Sequence, residues 1–416
     1  MKPLLVTILG LVCAATLRAD NSWVGVLPPD LRSAEEHVLS RDENALFLAV
    51  AQISDQNEAE AKRWRDALTA VKNGRISEDA DLIRRAEEIH AKTEKFAHLP
   101  SRFPVSIESP EGKRVLRVMG LFRAEELLAR QAALQGDREK MDRHIDILLA
   151  WNRSLRQARP NLVDWALCSF PWAAAFDLLL EDWQNHPDQA RRLREITERF
   201  EKTRVGRNEL IGVLRADFDT VVDMGPLPEM LQGWKEIGRM SVLNPPFDAV
   251  PIEELLKLPY DQKATIEASV AKLRQQLSDI ASGKPFAEWA EVRRNVPSRT
   301  LDDYRKMPNG LYRLQEEQLK QSSTFSVMGG AEMMDAQMAT CLHWLEAERA
   351  GREFVSGSPE IAQDPMNGKP LRVEVKSRLI RSVGGDFQVN QGEAVPARVG
   401  FHRVLQDPAL RVPVWR

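Results

Sequence analysis

Cysteine is scarce in this chain, which has three cysteines among 416 residues, one of them at position 13. The other two, Cys168 and Cys341, are too few for a disulfide framework or for a structural zinc site made of cysteines alone. They form either two buried thiols in apolar helical surroundings or one disulfide. Cysteine chemistry therefore does not define the fold.

An excess of charge of one sign is also missing. The chain has 58 Lys and Arg against 61 Asp and Glu, for a net charge of −3, and 43% of its residues are apolar. These values exclude a disordered polymer and a globally basic nucleic-acid binder. Beyond the N-terminal region, no segment offers the ~18 consecutive apolar residues of a membrane span. We therefore expect no nucleic-acid partner and no transmembrane segment after signal cleavage.

The common catalytic and cofactor motifs are absent as well. The sequence contains no G-x-S-x-G, H-E-x-x-H or C-x-x-C motif, no P-loop and no dinucleotide-binding glycine motif. The sequence thus predicts no cofactor and no metal, and it assigns no catalytic residue.

The N-terminus has the pattern of a secretory signal. Lys2 supplies a positive charge, an apolar stretch runs from Leu4 to Leu17, and the small residue Ala19 precedes Asp20. The apolar stretch is short for a membrane span, which needs ~20 residues. We predict a signal peptide over residues 1–19 and export to the periplasm or the extracellular space. The alternative is an uncleaved N-terminal anchor.

Apolar residues recur with helical spacing from about residue 31 to 353. The clearest signal is a pair of long segments, 111–135 and 137–158, joined at Gly136 and Asp137, which predicts an antiparallel helical hairpin. The next segment, 161–185, is apolar on nearly all faces and contains Pro171, so we predict a central buried helix. The other predicted helices span 57–73, 77–97 with Ser77 as N-cap, 187–203, 206–223, 229–240, 260–282, 285–294, 309–320 and 331–352.

The expected fold is mainly α, with antiparallel helical hairpins in an array or bundle and a small C-terminal β-hairpin element. The prolines between residues 225 and 259 suggest a seam between an N-terminal helical half, 20–224, and a C-terminal helical half, 260–354. A basic β-hairpin tail follows over 355–416. Its predicted strands are 371–375 (LRVEV) and 378–383 (RLIRSV), with another over Arg398–Val404.

The tail and the body carry opposite charges. From residue 366 onward there are nine Lys and Arg against four Asp and Glu, so residues 20–365 must carry a net negative charge. Tail cations include Arg372, Lys376, Arg378, Arg381, Arg398 and Arg403. They could meet an anionic envelope polymer or nucleic acid, but few aromatic residues are interleaved for base stacking. We expect the tail to dock on the body.

One stretch of the tail carries a resemblance. Asp364-Pro365-Met366-Asn367-Gly368-Lys369-Pro370-Leu371-Arg372, followed by Arg381-Ser382-Val383-Gly384-Gly385-Asp386, resembles the C-terminal signature of a large bacterial family of exported, mostly helical proteins. The same pattern is similar to the C-terminal hairpin of type II secretion pseudopilins, where the following loop can hold calcium. The resemblance implies export and a helical body, and it implies no activity. Physically, the prolines and glycines punctuate a hairpin.

Several helix-borne groups are candidates for chemistry. His343 and Glu346 lie one turn apart and could form a metal or acid–base site, or be an ordinary surface pair. Ser269-Val270-Ala271-Lys272 matches S-x-x-K without the companion elements of serine acyl-enzymes. Gly329-Gly330 before a predicted helix start could bind an anion. Asp217, Asp219 and Asp223 form an acidic segment.

These observations lead to two hypotheses of function. The first is an exported helical scaffold or interaction protein whose partner is a protein or an envelope polymer, because helical arrays present extended binding surfaces. The alternative is an envelope-polymer hydrolase that uses the helix-borne carboxylates Asp217, Asp219 and Glu332. The ten tryptophans are expected in the core, with some available to line a groove.

Overall fold

The computed structural model of the chain describes residues 43–53, 58–101, 115–157, 162–223, 228, 250–289, 299–319, 323–384, 387, 395–402 and 408–415. The predicted signal peptide, the predicted helix 229–240 and most of the proline-rich seam lie outside these residues.

Thirteen α-helices and four short strands make up the described part of the chain, and the predicted mainly α class is confirmed. The helices are α1 Ala45–Ala51, α2 Glu58–Lys72, α3 Ala80–Thr93, α4 Val115–Leu134, α5 Arg138–Gln157, α6 Leu162–Asn185, α7 Gln189–Thr203, α8 Glu209–Asp223, α9 Ile252–Leu255, α10 Gln262–Ala281, α11 Leu301–Arg305, α12 Gly310–Leu319 and α13 Ser323–Arg349. The strands are β1 Arg372–Glu374, β2 Leu379–Arg381, β3 Gly400–His402 and β4 Ala409–Arg411. None of the described helices has the length and hydropathy that crossing a membrane requires.

Helices α4 and α5 form the predicted antiparallel hairpin. Gly136 adopts φ +75°, the left-handed conformation that ends a helix, and the Asp137 N–H donates to the Ala132 carbonyl. The Asp137 carboxylate then accepts the Lys140 N–H at 3.0 Å and caps α5. Gly136 and Asp137 therefore set both the end of one helix and the start of the next.

Helix α6 is the centre of the helical body. It packs against α4, α5, α7, α8, α13 and strand β3. Three of its tryptophans, Trp165, Trp172 and Trp183, are at most 2% exposed, and Pro171 lies within the helix. The prediction of a central buried helix is confirmed, because a segment apolar on all sides needs partners on all sides.

Two predicted helix starts are wrong. The cap of α3 is Asp79, whose carboxylate accepts the Leu82 N–H, and Ser77 precedes the helix. Helix α13 begins at Ser323, so Gly329 and Gly330 lie inside it and their N–H groups are not a free helix start for an anion. A Cβ at Gly329 would lie 2.7 Å from the Met366 sulfur and 3.0 Å from the Phe286 ring. That glycine allows close packing and does not break the helix.

The tail is a four-stranded antiparallel sheet in the order β1-β2-β4-β3. Strands β1 and β2 form the predicted hairpin, with Val373 opposite Ile380, and β3 falls within the third predicted strand. Strand β4 was not predicted. It pairs with both β2 and β3, so the tail is one sheet and not an isolated hairpin.

The sheet docks on the helices through charge and hydrogen bonds, as the opposite charges of tail and body led us to expect. Arg398 lies 2.9 Å from Glu181 of α6, and Arg378 lies 2.6 Å from Glu348 of α13. The Gln337 amide of α13 donates to the carbonyls of Ile380 and Pro408. Two of the tail's cations thus pair with acids of the helical body.

A buried carboxylate on α6 holds strand β3. The Phe401 N–H donates to Asp177 Oδ1 at 2.6 Å, and a Cβ at Gly400 would come within 2.4 Å of the same oxygen. Burial raises the pKa of Asp177 to about 6, although the nearby Arg398 and Arg130 cations lower it. Ionisation of Asp177 therefore lowers the stability of the folded state relative to the unfolded state.

This carboxylate makes folding stability depend on pH. Because the pKa of Asp177 is about 6 when folded and 3.8 in its ordinary state, the free energy of unfolding should fall as pH rises from about 4 to above 6. Relative to Asp177→Asn, which stays neutral, the wild type should lose roughly 3 kcal/mol over that range. Urea unfolding of both proteins from pH 4 to 7.5 measures the difference. A constant difference across this range would contradict the prediction.

Cys168 and Cys341 are free and buried. Burial raises the pKa of each thiol to about 12, so Cys168 and Cys341 are protonated at neutral pH. The hypothesis of a disulfide is wrong, and the two residues serve as small apolar core residues.

Candidate functional site

Three consecutive helices bring two histidines and a glutamate together inside the body. His90 lies on α3, Glu125 on α4 and His144 on α5. Each lies on the side of its helix that faces the body: His90 is four residues after the buried Ala86 and three before the buried Thr93, and His144 is three residues after the buried Met141 and four before the buried Leu148. The packing that buries the apolar residues therefore also turns these three polar side chains toward one another.

The Glu125 carboxylate bridges the two imidazole rings. Its oxygens lie 2.9 Å from His90 Nδ1 and 2.8 Å from His144 Nδ1. The two rings meet edge to face, with centroids 4.6 Å apart. Glu125 is 0% exposed and His144 is 2% exposed, whereas His90 is partly exposed. The group is thus a buried His–Glu–His cluster with one side near solvent.

His90 is held between two carboxylates. Its second nitrogen, Nε2, lies 2.8 Å from an oxygen of Glu94, one turn further along the chain. Ionised carboxylate oxygens only accept, so this placement of both ring nitrogens favours the positively charged form of His90. The hydrogen bond to Glu125 raises the pKa of His90 and outweighs the opposing effect of burial. Burial acts to raise the pKa of Glu125, but the hydrogen bonds from His144 and His90 bring it below its usual value.

His144 differs from His90 in its second nitrogen. His144 Nε2 is buried and has no hydrogen-bond partner among the described residues. A buried polar atom without a partner is uncommon in folded proteins and calls for a specific cause. With Nδ1 donating to Glu125, a neutral ring leaves Nε2 as an acceptor with a free lone pair.

A recess opens beside the cluster. It has a volume of about 460 Å³, and both histidines line it. Its other walls are mostly charged, with Glu87, Asp137 and Glu139 among the acids and Lys140 and Arg143 as the bases. The cluster therefore borders a polar cavity and not a closed apolar core.

The donor set determines what this arrangement can do chemically. Two imidazoles and a carboxylate, with ligand atoms within 4.8 Å of one another, match the ligands of divalent transition metals. A histidine held by a carboxylate through Nδ1 is also the usual arrangement for a general base. The cluster can thus bind a cation or accept a proton from a group in the recess.

The carboxylate proposed from sequence on α13 is engaged elsewhere. Glu332 pairs with Arg207 at 3.0 Å, and burial raises its pKa although Arg207 lowers it. One turn on, the Asp335 carboxylate accepts the Val205 N–H at 3.0 Å. Both acids tie α13 to the segment between α7 and α8. Asp217, Asp219 and Asp223 lie on α8 as predicted, and the surroundings of their side chains are outside the described part of the structure.

The remaining sequence candidates are not brought together as sites. His343 is exposed, and Glu346 pairs with Arg349 at 2.6 Å. In the S-x-x-K segment, Lys272 pairs with Glu316, on another helix.

The His90–Glu125–His144 cluster was missed in the sequence, where no metal was expected. The available signal was a polar residue in each of three consecutive buried helical stripes. That signal does not say how the three helices are rotated relative to one another, and only the rotation makes the side chains converge. Comparison with protein-family models, curated proteins and solved structures gives no match to this chain.

Proposed function

We propose that this chain is an exported helical binding protein without a carboxylate-based active site. The observation that carries the proposal is the recess beside α3 and α5, which is bordered by charges of both signs. Such a surface suits a polar or charged partner, either a protein or an envelope polymer. Export is supported by the sequence pattern of Lys2, the apolar stretch and Ala19.

The alternative is a hydrolase of an envelope polymer acting through Asp217, Asp219 and Glu332. One of its three acids, Glu332, accepts a hydrogen bond from Arg207, which also donates to the Lys284 carbonyl. Arg207 also stacks on the Phe286 ring. A carboxylate in such a packed contact is better suited to joining helices than to attacking a polymer.

Site-specific photo-crosslinking in the native cell tests the binding proposal. A photoreactive residue replaces Glu87 or Arg143 at the recess, and exposed Lys263 or Glu267 on α10 serves as the matched control position. We expect adducts of defined mass from the recess positions and none from α10. Adducts of equal yield at all four positions, or none at any of them, would contradict the proposal. Soluble fragments released from purified envelope polymer by the wild type, but not by Glu332→Gln, would favour the hydrolase.

A further inference from the structure

The buried ring of His144 is the starting point. The residue is almost fully buried, its Nδ1 is used by Glu125, and its Nε2 has no partner among the described residues. A leucine or methionine would fill this space without a desolvation cost. A buried imidazole kept at such a cost, with its Nδ1 against the Glu125 carboxylate, places a nitrogen ligand beside an oxygen ligand in the wall of a recess.

The neighbouring acid shows what a purely structural carboxylate looks like here. Glu126 is paired with Lys72 at 2.7 Å and with Arg130 at 3.0 Å. Among the residues that the structure describes, the side-chain partners of Glu125 are the two imidazoles. The two adjacent glutamates thus have different surroundings, and only Glu125 sits in a set of metal-ligand type.

We propose that His90, Glu125 and His144 bind one divalent transition-metal ion of the zinc class. Their ligand atoms already lie within 4.8 Å of one another. Tetrahedral zinc, with bonds of roughly 2.0–2.2 Å, holds its ligand atoms roughly 3.4 Å apart. Small side-chain adjustments therefore suffice, and the ion takes the place of the protons that now join the rings to the carboxylate.

The surroundings fit an open metal centre. Three protein ligands leave a fourth position, which the recess can supply with water or with an anionic group of a bound molecule. Glu94 accepts from His90 Nε2 and so orients this ring through the nitrogen that the metal would not use. Lys140 in the recess wall is 3.5 Å from Glu87, so its charge is partly balanced.

The two nitrogen ligands and one oxygen ligand also determine which metal ions bind. Two nitrogen ligands favour zinc, copper, nickel and cobalt, whereas magnesium and calcium prefer oxygen-only sites. We therefore expect zinc to bind and magnesium to bind far more weakly.

Zinc titration of the purified full chain, first stripped with a chelator, tests the site. Calorimetry should give one zinc ion per chain, and millimolar magnesium should not compete. Glu125→Gln and His144→Gln should each weaken binding by at least about 100-fold, because loss of a direct ligand should cost more than the roughly 10–100-fold lost with an outer-shell partner. The control His343→Gln removes an exposed histidine outside the cluster and should leave binding unchanged.

Circular dichroism of each variant identifies any variant that fails to fold. Cobalt absorption of the wild-type chain is a second measurement, and it does not depend on the variants. Cobalt added to the wild-type chain should give the strong visible absorption of a tetrahedral site, which zinc then abolishes. No zinc binding by the wild type, weak octahedral cobalt bands, or zinc binding unchanged in both folded cluster variants would overturn the proposal. The titration needs no partner, so its outcome is separate from that of the crosslinking.

Discussion

Replacing Asp364 by alanine is expected to lower the free energy of unfolding by about 4 kcal/mol. The Asp364 carboxylate is 2% exposed and accepts hydrogen bonds from the Met366 N–H at 3.0 Å, the Val383 N–H at 2.9 Å and the Ser382 hydroxyl at 3.0 Å. Alanine would leave these donors buried without this acceptor. Each such donor costs roughly 1–3 kcal/mol, and small rearrangements recover part of the sum.

Urea unfolding at neutral pH measures this effect. The matched control is Asp302→Ala, which removes an exposed carboxylate paired with Arg305 on α11 and should change stability by less than about 0.5 kcal/mol. Equal effects of the two substitutions would show that Asp364 does not hold the tail together.

The second large effect is expected from Trp172→Ala, which should cost about 4 kcal/mol of stability. The centroid of the Trp172 ring lies 4.5 Å from that of Phe176, 6.3 Å from that of Phe200 and 5.6 Å from that of Phe401. Its indole N–H has no hydrogen-bond partner among the described residues, so the loss is one of packing. Because Phe401 belongs to β3, the cavity would open between helix α6 and the sheet.

Trp415→Ala is the control for this substitution. Trp415 is half-buried and packs on Trp183 at 5.2 Å, so its loss should cost about 1 kcal/mol. The same urea experiment compares the two variants. A smaller effect of Trp172→Ala than of Trp415→Ala would contradict the assignment of Trp172 to the junction between helices and sheet.

Local signals explain why many of the helices and the first hairpin could be predicted. The α4–α5 hairpin follows from two adjacent residues, Gly136 and Asp137, whose conformational preferences act within one turn. The apolar surface of α6 likewise required burial wherever the helix was placed. Such features do not depend on distant parts of the chain.

What the sequence did not reveal depends on distant contacts. Gly329 looks like a helix start, but its lack of a side chain serves the contact with Met366, 37 positions later in the chain. Strand β4 is three residues long and is defined by its partners on both sides. The Asp364 segment was interpreted as hairpin punctuation, whereas its carboxylate also binds the end of β2 across 18 residues.

The candidate site shows the same limit. His90, Glu125 and His144 come from three helices, and no short motif joins them in the sequence. Their convergence depends on the packing of α3 and α5 against α4, which is a property of the folded body. The polar cluster and its recess are the feature on which the functional account depends.

Anomalous diffraction from crystals of the full chain grown with zinc tests that account most directly. Data collected above and below the zinc absorption edge should show one strong peak within about 2.0–2.2 Å of ligand atoms from His90, Glu125 and His144. Peaks at surface residues only, with the three side chains still hydrogen-bonded to one another, would contradict it.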